Sequence, residues 1–119
     1  MEERLQKALE FANYRQTLNA HLHKSKIKAE SLLMFSKNGG NFIINEQLIC
    51  FLDYLVRNEY SEATLLDSNK APIHIADVSS FLKEVTMRYF EVTNDYLNEY
   101  QTLRKSRSVK SILDIKDKE

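Results

Sequence analysis

Residues 3–36 read ERLQKALEFANYRQTLNAHLHKSKIKAESLLMFS and contain neither glycine nor proline. So long a run without breakers favours one uninterrupted helix. Apolar or small residues recur along it in steps of three, four and seven residues, the period of one helical face. They are Ala8, Phe11, Leu18, Leu22, Ser25, Ala29 and Leu32, and Arg15 is the one large polar residue of the series. The pattern predicts a long helix over residues 3–37, about 50 Å in length.

A second apolar series lies near the other end of the chain. Asp77 is a good N-cap, and the residues after it repeat in steps of three, four and seven. They are Val78, Leu82, Val85, Tyr89, Val92, Tyr96 and Leu103. This series predicts a second long helix over residues 78–107. Two helices of similar length, each with an apolar seam, favour an antiparallel, coiled-coil-like hairpin. Parallel packing is less economical, because the residues between the helices would have to span their full length.

Residues 38–77 carry signals of mixed secondary structure. The prediction for Gly39 and Gly40 is that they end the first helix as a left-handed C-cap. The run Phe42–Ile44 has strand character. Asn45 is a good N-cap for a helix over residues 46–57, whose apolar residues cover more than half of its circumference. We therefore expect that helix to be buried on two sides.

The next two apolar runs predict a β-hairpin. Ala63–Leu66 and Ile73–Ile75 are separated by residues 67–70, which have turn composition, and Pro72 suits the entry of the second strand. An all-helical alternative would require these runs to be helical despite their turn flanks. Whether Phe42–Ile44 joins the hairpin in a three-stranded sheet stays open.

The predicted fold class is therefore α+β, mostly α. One domain spans residues 1–119: a long two-helix hairpin with a small βαββ cap at 38–77 inserted between its helices, and a tail at 108–119. Charge favours the antiparallel orientation, since acidic residues near the start would lie opposite basic residues near the end. These are Glu2, Glu3 and Glu10 opposite Arg104, Lys105, Arg107 and Lys110. Such exposed pairs contribute only about 0–1 kcal/mol each.

Composition restricts the class of protein. With 119 residues, 43% hydrophobic and 29% charged, the chain is predicted to be globular rather than disordered. A formal net charge of zero argues against a surface built wholly for nucleic acid. The single cysteine, Cys50, excludes an internal disulfide framework. The charged start and the lack of about 20 consecutive apolar residues favour a soluble, cytoplasmic protein with no membrane partner.

The sequence shows no pattern typical of catalysis or metal binding. His21 and His23 point to nearly opposite sides of a helix, and Cys50 lies among apolar neighbours that favour burial. Asp67, His74 and Asp77 suggest an acid–base cluster, yet a turn role for Asp67 and a cap role for Asp77 explain both acids. We therefore predict no enzyme activity, no catalytic residue, no cofactor, no metal site and no small-molecule substrate.

Four phrases, covering most of the chain together, resemble a family of short phage proteins. They are FANYRQTLN at 11–19, NGGNFIIN at 38–45, LLDSNKAPIHIADVSSFL at 65–82 and RYFEVTNDYLNEYQTLRKSRSVKSI at 88–112. The family is that of mostly uncharacterised proteins of T-even-like tailed phages that infect marine bacteria. The resemblance implies a phage gene product in the host cytoplasm, and it supplies no activity or site residue. A place in the virion, in its assembly or in phage gene expression stays open.

Both long helices carry apolar residues beyond a single seam. They are Leu5, Leu9 and Leu33 on the first helix and Phe81, Phe90, Leu97 and Tyr100 on the last. A two-helix hairpin buries one side of each helix, so either the helix over residues 46–57 folds back over the surplus or another chain covers it. A short helix cannot cover about 50 Å of hairpin, which favours a protein partner, foremost a second copy of the chain in a homo-oligomeric bundle. Scattered surface apolar residues are the ordinary alternative.

The C-terminal region is the second candidate interaction element. Its basic members are Arg104, Lys105, Arg107 and Lys110, and its apolar members are Ile112, Leu113 and Ile115. The basic residues suit contact with phosphates or an acidic surface, but they also suit a helix C-terminus. The leading hypothesis is a non-catalytic phage structural or assembly protein that acts through its helices. The alternative is a small regulator that binds nucleic acid or the host transcription or replication machinery through the basic block.

Overall fold

The computed structural model describes residues 2–105. Three helices and four short strands follow one another along the chain. They are α1 (Glu2–Leu32), β1 (Met34–Lys37), β2 (Gly40–Ile43), α2 (Glu46–Arg57), β3 (Ala63–Leu66), β4 (Pro72–Ile75) and α3 (Val78–Lys105). The predicted class, α+β and mostly α with two long helices flanking a β-containing segment, is confirmed. None of the helices described is long and apolar enough to cross a bilayer.

The described residues fall into two compact units. The terminal unit comprises residues 2–28 and 95–105, and the central unit comprises Ala29–Asn94. Both long helices contribute to both units, whereas α2 and all four strands belong to the central unit alone.

The prediction of a first helix reaching residue 37 is wrong in its last turn. α1 ends at Leu32, and β1 pairs antiparallel with β2, with Lys37 opposite Gly40. Asn38 and Gly39 form the two-residue turn between them, with φ angles of 52° and 85°. Two consecutive left-handed residues are the requirement of a type I′ hairpin turn, for which Asn-Gly is the favoured dipeptide. Asn38 and Gly39 therefore close a β-hairpin instead of capping a helix.

The second hairpin forms where it was predicted. β3 pairs antiparallel with β4, with Leu65 opposite Ile73. The hairpins remain two separate two-stranded sheets, so β2 does not add a third strand to the second one. Their backbones meet at Asn41, whose carbonyl oxygen accepts a hydrogen bond of 2.8 Å from the N–H of Ser68.

Phe81 is at the centre of the core of the central unit. Its side chain is fully buried, with its ring centroid 5.3 Å from that of Phe42 and 6.0 Å from that of Phe35. The other side chains with almost no exposed surface are Ile44, Leu52, Ile75, Val78 and Val85. Leu33 packs against the same core. Phe81 and Leu33 are thus covered by the chain itself, so for these two members of the predicted surplus the expectation of a second chain was wrong.

The bounds of α2 agree with the prediction, but its burial does not. Asn45 caps the helix by accepting a hydrogen bond of 2.8 Å from the N–H of Leu48. Leu52 and Leu55 are buried, whereas Phe51 is 50% and Tyr54 60% exposed. The core therefore covers one side of α2, not two.

In the terminal unit, α1 and α3 run antiparallel. Leu18 and Leu103 are buried against each other, with Tyr14 and Leu22 packed beside them. Further along, Glu99 accepts a hydrogen bond from the hydroxyl of Ser25 and pairs with Lys28 at 2.9 Å. Residue numbers rise along α1 as they fall along α3, as the predicted hairpin requires.

The predicted placement of Glu2 and Glu3 opposite Arg104 and Lys105 is wrong. Because Leu103 lies beside Leu18, Arg104 is level with about residue 17 of α1. Glu3 lies roughly 20 Å further along the helix at 1.5 Å per residue, too far to pair with Arg104 or Lys105. The buried seam of α1 begins at Leu18, since Ala8 and Phe11 at the start of the predicted series are exposed. Arg107 and Lys110 lie outside the described residues.

Candidate interaction surfaces

The two acids of the suggested acid–base cluster are engaged by backbone. Asp67 accepts hydrogen bonds from the N–H groups of Asn69 and Ala71, both at 2.9 Å, and from that of Asn41 at 3.1 Å. Asp77 caps α3 by accepting a hydrogen bond of 3.1 Å from the N–H of Ser80. The Nε2 atom of exposed His74 lies 3.6 Å from the carboxylate of Glu62. The structure therefore gives Asp67 and Asp77 the turn and cap roles that their positions predicted.

Asp67 does more than shape its own turn. Its bond to Asn41 joins the second hairpin to the first, and the side chain is buried. The hydrogen bonds from the N–H groups of Ala71, Asn41 and Asn69 favour the charged carboxylate and hold the pKa of Asp67 below its ordinary value, although burial opposes them. Because the pKa is lower in the folded than in the unfolded protein, this carboxylate stabilises the fold above about pH 4 and stops doing so as the pH falls through the lowered pKa.

We expect Asp67→Asn to lower the melting temperature by about 4–8 °C at pH 7. An amide has one acceptor oxygen, and its NH₂ group would face backbone donors that now bind a carboxylate. The difference from the wild-type protein should be smaller at pH 3 than at pH 7, because below about pH 4 the unfolded chain takes up a proton at Asp67 and the stabilisation by the folded carboxylate declines. Thermal unfolding followed by circular dichroism at both pH values measures this. Asp53→Asn, which removes an exposed carboxylate paired with Arg57, is the matched control. An equal loss at both pH values would contradict the assignment.

One open groove lies in the central unit. It has a volume of about 330 Å³ and is lined by Leu33, Ile44, Asn45, Glu46, Gln47 and Tyr89. The hydroxyl of Tyr89 donates a hydrogen bond of 3.2 Å to Glu46, and burial together with that carboxylate raises the pKa of Tyr89. The Tyr89 hydroxyl and the Glu46 carboxylate are bonded to each other, and the side-chain oxygen of Asn45 caps α2, so these polar groups of the lining are already engaged.

The structure describes two of the residues that were predicted to form the C-terminal interaction element. Arg104 and Lys105 lie in the last turn of α3, and both are exposed. Positive charge at this position complements the helix dipole. Arg107, Lys110, Ile112, Leu113 and Ile115 lie outside the described residues.

Exposed apolar side chains lie on both helices of the terminal unit. Leu5 and Leu9 of α1 are 64% and 65% exposed, and Leu97 and Tyr100 of α3 are 50% and 42% exposed. These four residues belong to the predicted surplus, and their exposure confirms that part of it. Phe11 and Ile27 are also exposed, and the predicted surplus did not include them.

On α1, Leu5, Leu9 and Ile27 belong to a line of exposed residues that we name the outer stripe. Its members are Leu5, Leu9, Ala12, Gln16, Ala20, His23 and Ile27. They are spaced by four or three residues, the period of one helical face. The predicted seam of α1 was the stronger series, which contains Leu18. The same spacing counted from Leu5 would have found this second face.

The central unit has exposed apolar groups of its own. Phe51 and Tyr54 lie on the outer side of α2, close to Cys50, which is exposed rather than buried as predicted. Met87 and Phe90, one turn apart on α3, are 72% and 58% exposed. Phe90, a member of the predicted surplus, is thus also on the surface.

Neither metal ligation nor similarity to other proteins identifies a function. Among residues 2–105, no group of three or more His, Cys, Asp or Glu side chains is placed to hold a metal ion. Comparison of the sequence with protein-family models, curated proteins and solved structures gave no match.

Proposed function

We propose that this chain is a non-catalytic assembly protein that associates with further copies of itself through its helices. The resemblance to phage proteins suggests the setting, which we propose to be virion structure or assembly inside an infected bacterium. The observation that carries the proposal is the exposed apolar surface on α1. Leu5, Leu9 and Ile27 project away from the face that packs on α3.

The start of α1 strengthens this argument. Residues 2–13 are helical, and every one of them is exposed. A short helical stretch without packing is only marginally stable in water, because tertiary contacts supply most helix stability in proteins. Leu5, Leu9 and Phe11 offer a partner the apolar surface that would stabilise this part of the helix.

Light scattering on the full chain tests the proposal. We expect a dimer or a larger species at tens of micromolar protein. In a purified sample no foreign partner is present, so another copy of the chain is what can cover the apolar surface. A truncation ending at Ser106 should form particles with the same number of chains, because the exposed residues lie on α1 and α3. A monomer at all concentrations would contradict self-association. Loss of association in the truncation alone would shift the contact to the C-terminal tail.

One observation favours the alternative, a regulator that binds nucleic acid. Tyr96 and Tyr100 lie edge to face, with ring centroids 6.5 Å apart, and Arg104 follows Tyr100 by one turn. Aromatic faces beside a cation suit stacking on single-stranded bases. Fluorescence anisotropy with labelled single-stranded DNA and RNA at 50 and 200 mM salt would detect this. Binding that weakens as salt rises would support the alternative, and no binding at either salt would remove it.

A further inference from the structure

The outer stripe lies on the side of α1 that is opposite its packed face. Leu9 and Ile27 are each nine residues from Leu18, and at 100° per residue nine residues place them half a turn away from it. Leu18 is 4% exposed, whereas Leu9 and Ile27 are 65% and 50% exposed. α1 therefore has two apolar faces, of which α3 covers one.

The outer stripe is symmetric about its middle residue, Gln16. Ala12 and Ala20 lie four residues to either side of it, and Leu9 and His23 lie seven residues away. Leu5 and Ile27 complete the pattern at eleven residues. Small residues thus flank the centre, and large apolar residues stand at the two ends. A face with this symmetry can pack on an identical face turned end to end, as an isologous twofold contact requires.

We propose that a second copy of this chain docks antiparallel on the outer stripe, with Gln16 at the twofold axis. This inference rests on the proposed self-association and specifies its interface. Ala12 of one copy then faces Ala20 of the other, and the two helices can approach closely there. Leu5 of one copy packs on Ile27 of the other. The two Gln16 side chains hydrogen-bond to each other, and this polar pair adds to the register that the Leu5–Ile27 packing sets.

Charge favours the antiparallel orientation. Residues 2–11 carry three acidic and two basic side chains (Glu2, Glu3 and Glu10; Arg4 and Lys7), a net charge of −1. Residues 21–30 carry three lysines and one glutamate (Lys24, Lys26 and Lys28; Glu30), and with neutral histidines a net charge of +1 remains once the pairing of Lys28 with Glu99 is counted. Antiparallel docking places the negative end of each helix beside the positive end of its partner. Parallel docking would place like charges side by side.

Disulfide trapping of the full-length chain tests the register. In a Cys50→Ser background, Gln16→Cys leaves one cysteine per chain, and the twofold axis brings the two copies of it face to face. We expect mild oxidation to give a covalent dimer. Ala20→Cys in the same background is the matched control. Its two copies would be offset by eight residues, about 12 Å along the helix, beyond the Cα separation of about 7 Å that a disulfide spans.

Each trapping result decides the inference. A covalent dimer from the Gln16→Cys variant and none from the Ala20→Cys variant supports it. Cross-linking of both variants shows a parallel contact and overturns the register. If the wild-type chain is oligomeric by light scattering and neither variant cross-links, self-association stands and the outer stripe is not its interface. If the wild-type chain is a monomer, both the interface and the proposed function fail.

A charge substitution gives a second, independent readout. Leu9→Lys keeps a good helix former on the exposed face and should weaken dimerisation at least about a hundredfold, because each dimer contains two such sites and each adds positive charge beside the lysines of the other copy. Leu66→Lys is the control, since Leu66 is similarly exposed, at 62% against 65%, but lies on β3. Sedimentation velocity measures the dissociation constants, and circular dichroism verifies that both variants stay folded. An equal dissociation constant for the two variants would overturn the assignment.

Discussion

Replacing Phe81 by alanine is expected to lower the free energy of unfolding by about 3–5 kcal/mol. The side chain has no exposed surface, and its ring contacts the rings of Phe35 and Phe42. Truncation would remove both ring contacts and leave a cavity between the first hairpin and α3. Urea unfolding followed by circular dichroism measures the loss. Phe81→Leu should cost less, because most of the volume is kept.

Phe90→Ala is the matched control for Phe81→Ala. Both residues are phenylalanines on α3, but Phe90 is 58% exposed. We expect Phe90→Ala to change the free energy of unfolding by no more than about 0.5 kcal/mol, as is usual for surface positions. Similar losses for the two variants would show that Phe81 is not the centre of the core.

Replacing Gly40 by alanine is expected to cost about 1–3 kcal/mol, although it adds a single methyl group. A Cβ atom at this position would lie 2.5 Å from Cγ1 and 2.8 Å from Cδ1 of Ile73. Neither distance is tolerated, so either the Ile73 side chain must leave its rotamer or the second hairpin must move away from the first. Thermal or urea unfolding of the variant gives the loss directly.

A double-mutant cycle separates this steric clash from backbone strain. Ile73→Ala removes both clashing atoms, so Gly40→Ala should cost much less in the Ile73→Ala background than in the wild-type protein. Gly39→Ala is the contrast. No atom would lie within 4 Å of its Cβ, and its cost arises from the φ angle of 85°. Its cost should not change when Ile73 is replaced. Additive effects for Gly40 and Ile73 would contradict the clash.

The helices were largely predictable from sequence because their signals are local. Asn45 and Asp77 were predicted as N-caps, and each accepts a hydrogen bond from the N–H three residues further on. The start of α3 follows from the cap and the apolar period after it. The second hairpin was predictable for a similar reason, since Asp67 stands at the start of a turn between two apolar runs.

The first hairpin was missed because two local signals compete at the same residues. Asn38 and Gly39 suit both a helix C-terminus and a type I′ turn, and residues 34–36 contain nothing that forbids a helix. Residues 34–37 form a strand because they pair with β2 and because Phe35 packs on Phe81. Both contacts depend on tertiary structure. The Asn-Gly pair itself and the strand character of Phe42–Ile44 were the available signals.

For the interaction surfaces, the sequence predicted only that extra apolar residues exist, and not which of them are exposed. Sequence spacing showed more apolar residues than one seam requires, but it could not tell Phe81, which is buried, from Phe90, which is exposed. The two lie on different faces of α3, and the hairpins cover the face that contains Phe81. Cys50 was assigned to the interior on the same ground, because its apolar neighbours do not reveal that the core covers one side of α2.

The contact between Leu18 and Leu103 also bears on the order in which the chain folds. It joins residues 85 positions apart, whereas the partners within each hairpin are at most 12 apart. Closing a long loop costs conformational entropy before the contact returns any stabilisation, and contacts distant in sequence slow folding. The hairpins and α2 can therefore form from nearby residues first. The segments around Leu18 and Leu103 then come together as the last step.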